Sequence, residues 1–186
     1  EFRRVLFRSA AEPLFARIEQ ELGPVDEVHF VAGVMPDVAI DEFDLGKDRL
    51  QVQVNLLGCM AWANAAARRF LARKSGCFVG VSSVAQDRGR VGKPGYHASK
   101  AGMDTFLEAL RNRLWRHGVQ VTTIRPGFVE TPMTANWPDM LETWKTRSPM
   151  RRPAKPEDIA DLVAALIAND YVTGEIVIAD GGLNLT

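Results

Sequence analysis

Two serines, a tyrosine and a lysine are the residues whose spacing in this sequence could support proton transfer. Tyr96 and Lys100 stand four residues apart, which on a helix places the phenol and the ammonium on one face. A cation close to a phenol favours the phenolate, so Lys100 is predicted to lower the pKa of Tyr96 from its usual value of about 10. Ser82 and Ser83 precede Tyr96 and offer a hydroxyl that could orient a substrate oxygen. The set predicts a site for carbonyl reduction or alcohol oxidation.

These residues lie in a chain in which helical and strand patterns alternate. The patterns predict helices over 10–22, 48–73, 95–117 and 156–169, a short helix over 139–145, and strands over 25–32, 77–82, 119–124 and 175–179, the last preceded by Gly174. Such alternation predicts an α/β fold with a parallel sheet. Ligands bind beyond the carboxyl ends of strands in these sheets, so the informative residues should follow Ala32, Ser82, Ile124 and Ala179.

Composition excludes several classes of partner. The chain has 186 residues, with 23 Lys+Arg against 23 Asp+Glu, so we expect no nucleic-acid partner and no anionic membrane surface. Its longest apolar stretch falls well short of the ~20 residues of a bilayer span. Two cysteines without a secretory leader predict a reducing compartment, the cytoplasm. Three histidines and two cysteines at no ligand spacing predict no metal site.

The first nine residues, EFRRVLFRS, do not read as part of the fold. Back-translated, they resemble a sequencing-library adapter read in frame, and we predict that residues 1–9 are a non-native segment. The alternative is a natural basic N-terminal arm.

Five stretches together resemble the short-chain dehydrogenase/reductase family, and the resemblance covers residues 10–186. They are VNLLG (Val54–Gly58), GVSSV (Gly80–Val84), YHASKAG (Tyr96–Gly102), RPGFVETPM (Arg125–Met133) and the terminal DGG (Asp180–Gly182). The resemblance implies a three-layer, Rossmann-like, doubly wound parallel sheet. It also implies an NAD(P)-dependent oxidoreductase that interconverts a secondary alcohol and a ketone by hydride transfer.

The family's roles carry over where the motifs match. Tyr96 would be the general acid/base, Lys100 would lower its pKa and bind the nicotinamide ribose, and Ser83, at the family's usual spacing from the tyrosine, would polarise the carbonyl. Asn55 would anchor a water behind the lysine, unless it is only a polar residue on a solvated helix face. The implied cofactor-binding residues are Ala32, Gly33, Tyr96, Lys100, Pro126, Gly127, Val129 and Thr131. The sequence leaves NAD and NADP undistinguished.

The sequence also departs from the family pattern. Phe30 and Val31 stand where the family has two asparagines before Ala-Gly, which puts the local hydrogen bonding in doubt. No strand with a glycine-rich turn precedes Ala10, so we expect residues 10–186 to be the C-terminal portion of a single Rossmann-type domain. Dinucleotide binding by this fragment is therefore expected to be impaired, and strand 25–32 is expected to be an unpaired edge.

Other residues near the motifs admit two interpretations. His97, next to Tyr96, would be either a second acid/base or a surface residue, and we expect it to point away from the site because adjacent residues on a helix do not share a face. Charges at Arg88, Arg90 and Lys93 would be solvated or would meet an anionic substrate. An apolar wall over the substrate, or simple lid packing, is predicted for Trp137, Met140, Trp144 and Met150.

Two other functions stay open at this point. One is a nucleotide-sugar epimerase or dehydratase, which shares the Tyr and Lys pair, and the other is a non-catalytic paralogue that acts as a binding or oligomer partner. The expected partner is a small-molecule alcohol or ketone. The family resemblance implies a homo-oligomer, dimer or tetramer, for the full-length protein. The small helix face of Ala98, Ala101, Thr105 and Ala109 is compatible with such an assembly and equally with packing inside one chain.

Overall fold

The predicted parallel sheet is confirmed. The structure, a computed structural model, describes residues 10–169, 171–172 and 175–185. These residues form one four-stranded parallel sheet, in the order β1 (Glu27–Phe30), β2 (Gly76–Val81), β3 (Val119–Pro126) and β4 (Ile176–Ala179). The predictions for residues 1–9 and for Gly174 lie outside the described residues. Because all four strands run the same way, their carboxyl ends meet at one edge of the sheet.

Helices cover the sheet on both faces. They are α1 (Ala11–Leu22), α2 (Leu45–Gln51), α3 (Gly58–Arg73), α4 (Pro94–Leu114), α5 (Pro138–Arg147) and α6 (Pro156–Ile167), with short 3₁₀ turns at Val84–Asp87, Trp115–His117 and Leu183–Leu185. Helices α1, α3 and α4 pack against the face that carries Phe30 and Phe78. Helix α6 packs against the opposite face, at Cys77 and Val79. The alternation of buried residues along β2 thus separates two apolar layers.

The helix predicted over 48–73 begins three residues earlier and is divided by a π-helical turn. It begins at Leu45, because the Asp44 carboxylate accepts hydrogen bonds from the backbone N–H of Gly46 at 2.7 Å and of Lys47 at 3.3 Å. A π-helical turn, Val52–Leu57, then separates α2 from α3. Such turns occur most often at functional sites, and this one contains Asn55.

The expected edge strand is present. Within the described residues β1 pairs only with β2, in the register that sets Phe30 beside Gly80. Val28 and Phe30 contribute to the core, whereas Val31 is 65% exposed. No helix in the part of the chain that the structure describes is long and apolar enough to span a membrane.

Helix α4 approaches strand β2 closely at Gly80. A Cβ at this position would lie 2.3 Å from Leu107 Cδ1 and 3.0 Å from Met103 Cε, and both side chains are fully buried. The missing side chain therefore lets the helix that carries Tyr96 lie directly against the strand that leads to Ser83.

We expect Gly80→Ala to lower the free energy of unfolding by about 1–3 kcal/mol, because the added methyl group overpacks a filled core. Urea denaturation monitored by circular dichroism measures the change. Gly89→Ala is the matched control, since no atom lies within 4 Å of its added Cβ, and it should shift stability by less than about 1 kcal/mol. Equal losses in the two variants would contradict the close approach.

Candidate active site

The carboxyl edge of the sheet opens into a cavity of about 750 Å³. Eight of the residues singled out in the sequence line it: Gly33, Ser83, Tyr96, Lys100, Pro126, Gly127, Val129 and Thr131. They come from the ends of β1, β2 and β3 and from the first turns of α4. The fold therefore brings together side chains that are up to a hundred residues apart in the sequence.

Two of the predicted site residues lie outside the cavity wall. Ala32 packs against the core and does not line the cavity, and its role in cofactor binding stays a prediction. Asn55 is fully buried behind the wall. A Cβ on Gly33 would lie 3.6 Å from Asn55 Oδ1 and 3.7 Å from Lys100 Nζ, so Gly33 fills the narrow space in front of both.

Asn55 is held by hydrogen bonds on both sides of its amide. Its Oδ1 accepts from the backbone N–H of Val34 at 2.8 Å, and its Nδ2 donates to the Val34 carbonyl at 3.0 Å and to Ser99 Oγ at 3.0 Å. Ser99 Oγ in turn donates to the Tyr96 carbonyl at 2.8 Å. The interpretation of Asn55 as a polar residue on a solvated face is therefore wrong, and the side chain joins the loop after β1 to helix α4.

Lys100 is a buried ammonium at the base of the cavity. It is 4% exposed, and its Nζ donates to the Val81 carbonyl at 2.8 Å. Burial lowers the pKa of Lys100 to about 8, and the nearby Cys59 and Asp104 partly oppose that change. The bond to the Val81 carbonyl is the one hydrogen bond of the Lys100 ammonium among the described residues. Two N–H groups of the ammonium therefore remain for a ligand.

Burial raises the pKa of Tyr96, and the adjacent Ser83 hydroxyl partly opposes the rise. The sequence predicted the opposite direction, from the charge of Lys100. In the structure the Lys100 Nζ lies 5.9 Å from the centroid of the Tyr96 ring and binds a carbonyl instead. The loss of water around the phenol therefore outweighs the cation, and the phenol favours its protonated form.

The two serines have different neighbours. Ser83 caps the 3₁₀ turn Val84–Asp87, accepting from the Ala85 N–H at 3.1 Å, and its hydroxyl lies beside the Tyr96 phenol. Ser82 lies beside the Asp104 carboxylate, whose pKa is raised by burial, with Ser82 and Arg125 opposing the rise. Arg125 Nε donates to Asp104 Oδ2 at 2.6 Å. Ser83 is thus the serine whose hydroxyl lies beside the Tyr96 phenol, and its role in catalysis stays a prediction.

The sequence interpretation of His97 is wrong. The ring is half-buried and lines the cavity, where Nδ1 contacts the Ala85 carbonyl and Nε2 lies 3.1 Å from the Gly92 carbonyl. Helix periodicity alone misplaced it, because the loop between Ala85 and Gly92 folds back over the ring. Trp137, Met140 and Trp144 form a cavity wall as expected, whereas Met150 lies elsewhere and is 60% exposed.

The segment 128–153 is rich in proline, which predicts an irregular segment that could serve as a lid, and it is anchored at Trp144. This indole is 4% exposed, its ring centroid lies 5.7 Å from that of Phe128 with the rings tilted by 36°, and its Nε1 donates to the Asp180 carbonyl at 3.3 Å. A Cβ on Gly127 would lie 3.0 Å from Trp144 Cζ2 and 2.8 Å from Asp180 Cα. Gly127 therefore lets β3, β4 and the lid helix α5 meet.

The family model described as enoyl-(acyl carrier protein) reductase matches residues 5–184. The chain belongs to the short-chain dehydrogenase/reductase family. Among members of this family, the 3-oxoacyl-(acyl-carrier-protein) reductase of Rattus norvegicus is 33% identical over 172 residues, which are 92% of this chain and 72% of the rat protein. The acetoacetyl-CoA reductase of Synechocystis is 35% identical over 170 residues, 89% of this chain and 71% of that protein.

Solved structures of the short-chain dehydrogenase/reductase fold superpose closely. The crystal structure of gox2181 has a TM-score of 0.88 and 26% identity, covering 98% of this chain and 74% of its own. A putative gluconate dehydrogenase from Agrobacterium tumefaciens also has a TM-score of 0.88 and 26% identity. The fold and family establish this short-chain dehydrogenase/reductase as an NAD(P)-dependent oxidoreductase.

The residues present fit the nicotinamide end of that cofactor. Lys100 has spare donors at the cavity base, and Val129 and Thr131 line the wall beyond β3. Lys100, Val129 and Thr131 do not distinguish NAD from NADP. No group of three or more candidate metal ligands occurs among the described side chains.

We expect Lys100→Met to stabilise the fold at pH 7 by about 1–3 kcal/mol, because it removes a buried charge at the expense of one hydrogen bond. The pKa of Lys100 lies below its usual 10.5, so between about pH 8 and 10.5 the unfolded chain binds more protons and the wild type gains stability. The difference between the proteins should therefore shrink as the pH rises through that interval. Urea denaturation at several pH values measures it.

Lys145→Met, at an exposed lysine of α5, is the control and should change stability by less than about 0.5 kcal/mol. If Lys100→Met were less stable than the wild type at pH 7, the conclusion that the buried Lys100 charge lowers the stability of the fold would be wrong.

Proposed function

We propose that the protein interconverts secondary alcohols and ketones, with Tyr96 as the general acid/base. The observation that carries the proposal is the convergence of Ser83, Tyr96 and Lys100 on the same cavity as Val129 and Thr131. Ser83 would orient the substrate oxygen and Tyr96 would move its proton. Lys100, Val129 and Thr131 would bind the nicotinamide end of the cofactor. This arrangement favours catalysis over a role as an inactive partner.

Ser83 and Tyr96 act on the substrate oxygen. The Ser83 hydroxyl donates a hydrogen bond to the carbonyl and stabilises the charge that develops on its oxygen. The Tyr96 phenol gives that oxygen its proton during reduction and takes it back during oxidation. Burial keeps the phenol protonated near neutral pH, which is the state that ketone reduction requires.

Lys100 and Asn55 support these two groups. When bound, NAD(P)H supplies the hydride. Lys100 uses its free N–H groups to hold the nicotinamide ribose, while its bond to the Val81 carbonyl fixes the ammonium. Asn55 fixes the backbone at Val34 and, through Ser99, the first turn of α4. Its place beside Gly33 fits the proposed role of anchoring a water behind Lys100.

The substrate class is a ketone with an apolar chain. Several relatives are named for 3-oxoacyl or acetoacetyl substrates, so 3-oxo esters and thioesters are the first candidates. The cavity provides apolar walls at Phe128, Met133 and Trp137. We also propose a homo-oligomer, since Ala98, Thr105 and Ala109 on α4 are exposed in the single chain. The two free cysteines, Cys59 and Cys77, support the proposal of a reducing compartment, the cytoplasm.

Tyr96→Phe should reduce the rate of ethyl acetoacetate reduction at least about 10²-fold, because the variant loses the proton donor and keeps the ring. The rate is measured from the absorbance of NADPH at millimolar concentration. Tyr171→Phe is the matched control: the chain has two tyrosines, and Tyr171 is 94% exposed. Equal rates for Tyr96→Phe and wild type would overturn the proposed role.

Weak dinucleotide binding by the 186-residue chain stays a prediction. The cavity residues would contact only the nicotinamide end, and the sequence contains no glycine-rich turn leading from a strand into a helix N-terminus that would bind a pyrophosphate. Titration with NADH and NADPH, followed by nucleotide fluorescence, should give affinities weaker than the micromolar range. Low-micromolar binding would contradict the prediction.

A further inference from the structure

The ammonium of Lys93 bridges two loops at the mouth of the cavity. Its Nζ lies 4.0 Å from the centroid of the Trp137 ring and 3.1 Å from Asp37 Oδ1. Asp37 belongs to the loop after β1, and Trp137 directly precedes the lid helix α5. All three residues line the cavity. One side chain thus joins the three segments that frame the substrate entrance.

The backbone at Lys93 adopts a conformation that is unfavourable for lysine. Its φ of 58° and ψ of 53° are left-handed, a region that glycine and asparagine occupy more readily. The Lys93 carbonyl accepts from the backbone N–H of Tyr96 at 3.0 Å and of His97 at 3.4 Å. Lys93, which directly precedes helix α4, therefore also supplies the cation at the entrance. Its backbone conformation is fixed by its hydrogen bonds to the first turn of that helix.

The contact with Trp137 outweighs the ion pair. Asp37 is 92% exposed at its side chain, and an ion pair to so exposed a carboxylate adds little. The Lys93 side chain is only 20% exposed, and a partly desolvated cation over an indole face is the stronger interaction. The centroid of the Trp137 ring also lies 6.5 Å from that of the Phe128 ring, with the two rings tilted by 47°. The indole thus has both Phe128 and Lys93 as neighbours.

We propose that Lys93 is a positioning residue that fixes the Trp137 indole as the cavity's apolar wall and thereby sets a preference for ketones with long apolar chains. The proposal rests on the ketone reduction proposed above. A short ketone needs only Ser83 and Tyr96 around its carbonyl. A long chain also contacts the wall, so loss of the cation weakens binding of long substrates and leaves the reaction of short ones unchanged.

The test compares ethyl acetoacetate with ethyl 3-oxodecanoate, two 3-oxo esters that differ in chain length. Lys93→Met keeps the backbone and most of the side-chain volume but removes the charge. We expect KM for the long ester to rise roughly 2- to 30-fold, the range of one cation–π contact. The kcat for both esters, and KM for the short one, should stay within about two-fold of wild type. Lys93→Arg should restore the wild-type values, since guanidinium also stacks on indole.

Lys47→Met is the matched control. Lys47 lies on the same side of the entrance, pairing with Glu42 at 2.5 Å and donating to the Asp37 carbonyl at 2.6 Å, but it has no place in the cavity wall. It should leave the ratio of the two KM values unchanged. In a Trp137→Leu background, Lys93→Met should add no further effect. An unchanged KM ratio in Lys93→Met, or full additivity of the two substitutions, would overturn the proposal.

Equilibrium dialysis with ethyl 3-oxodecanoate separates this proposal from the proposed function, because it requires no turnover. Weaker binding to Lys93→Met than to wild type would support the positioning role even if Tyr96→Phe kept full activity, a result that would refute only the catalytic assignment. Equal binding to both proteins, together with loss of activity in Tyr96→Phe, would refute only the role of Lys93.

Discussion

A buried ammonium, that of Lys100, donates a hydrogen bond to the Val81 carbonyl and joins helix α4 to the end of the central strand β2. Desolvation of this charge is unfavourable, as its lowered pKa indicates. The close contact of α4 with β2 at Gly80 holds the lysine in place against that penalty. The same contact sets the distance between Ser83 and Tyr96, so the geometry of the site follows from how closely one helix lies on one strand.

Asn55 extends this arrangement to the first strand. The family's pair of asparagines after that strand is replaced here by Phe30 and Val31. Phe30 is buried in the core, and the Asn55 amide binds both backbone groups of Val34. The π-helical turn that contains Asn55 thus fixes the loop after β1 by hydrogen bonds to the backbone of Val34.

In the lid, aromatic side chains rather than a continuous helix hold the segment in place. Four prolines between Phe128 and Pro153 prevent one continuous helix, and α5 occupies only the part between Pro138 and Arg147. Trp144 anchors this helix on Phe128 and Asp180, while Trp137 remains at the entrance beside Lys93. The α5 end of the lid is therefore held by Phe128 and Asp180, and the Trp137 end by contacts with Lys93 and Phe128.

The sequence by itself determined the order and type of the elements, the parallel sheet and the residues at its carboxyl edge. Periodicity and local motifs carry that information, since they depend on residues close together in the chain. The tertiary structure decided which way the Tyr96 pKa moves, the burial of Asn55, the inward position of His97 and the contacts of Lys93. Each depends on groups from distant segments, whose solvent exclusion and spacing no local pattern encodes.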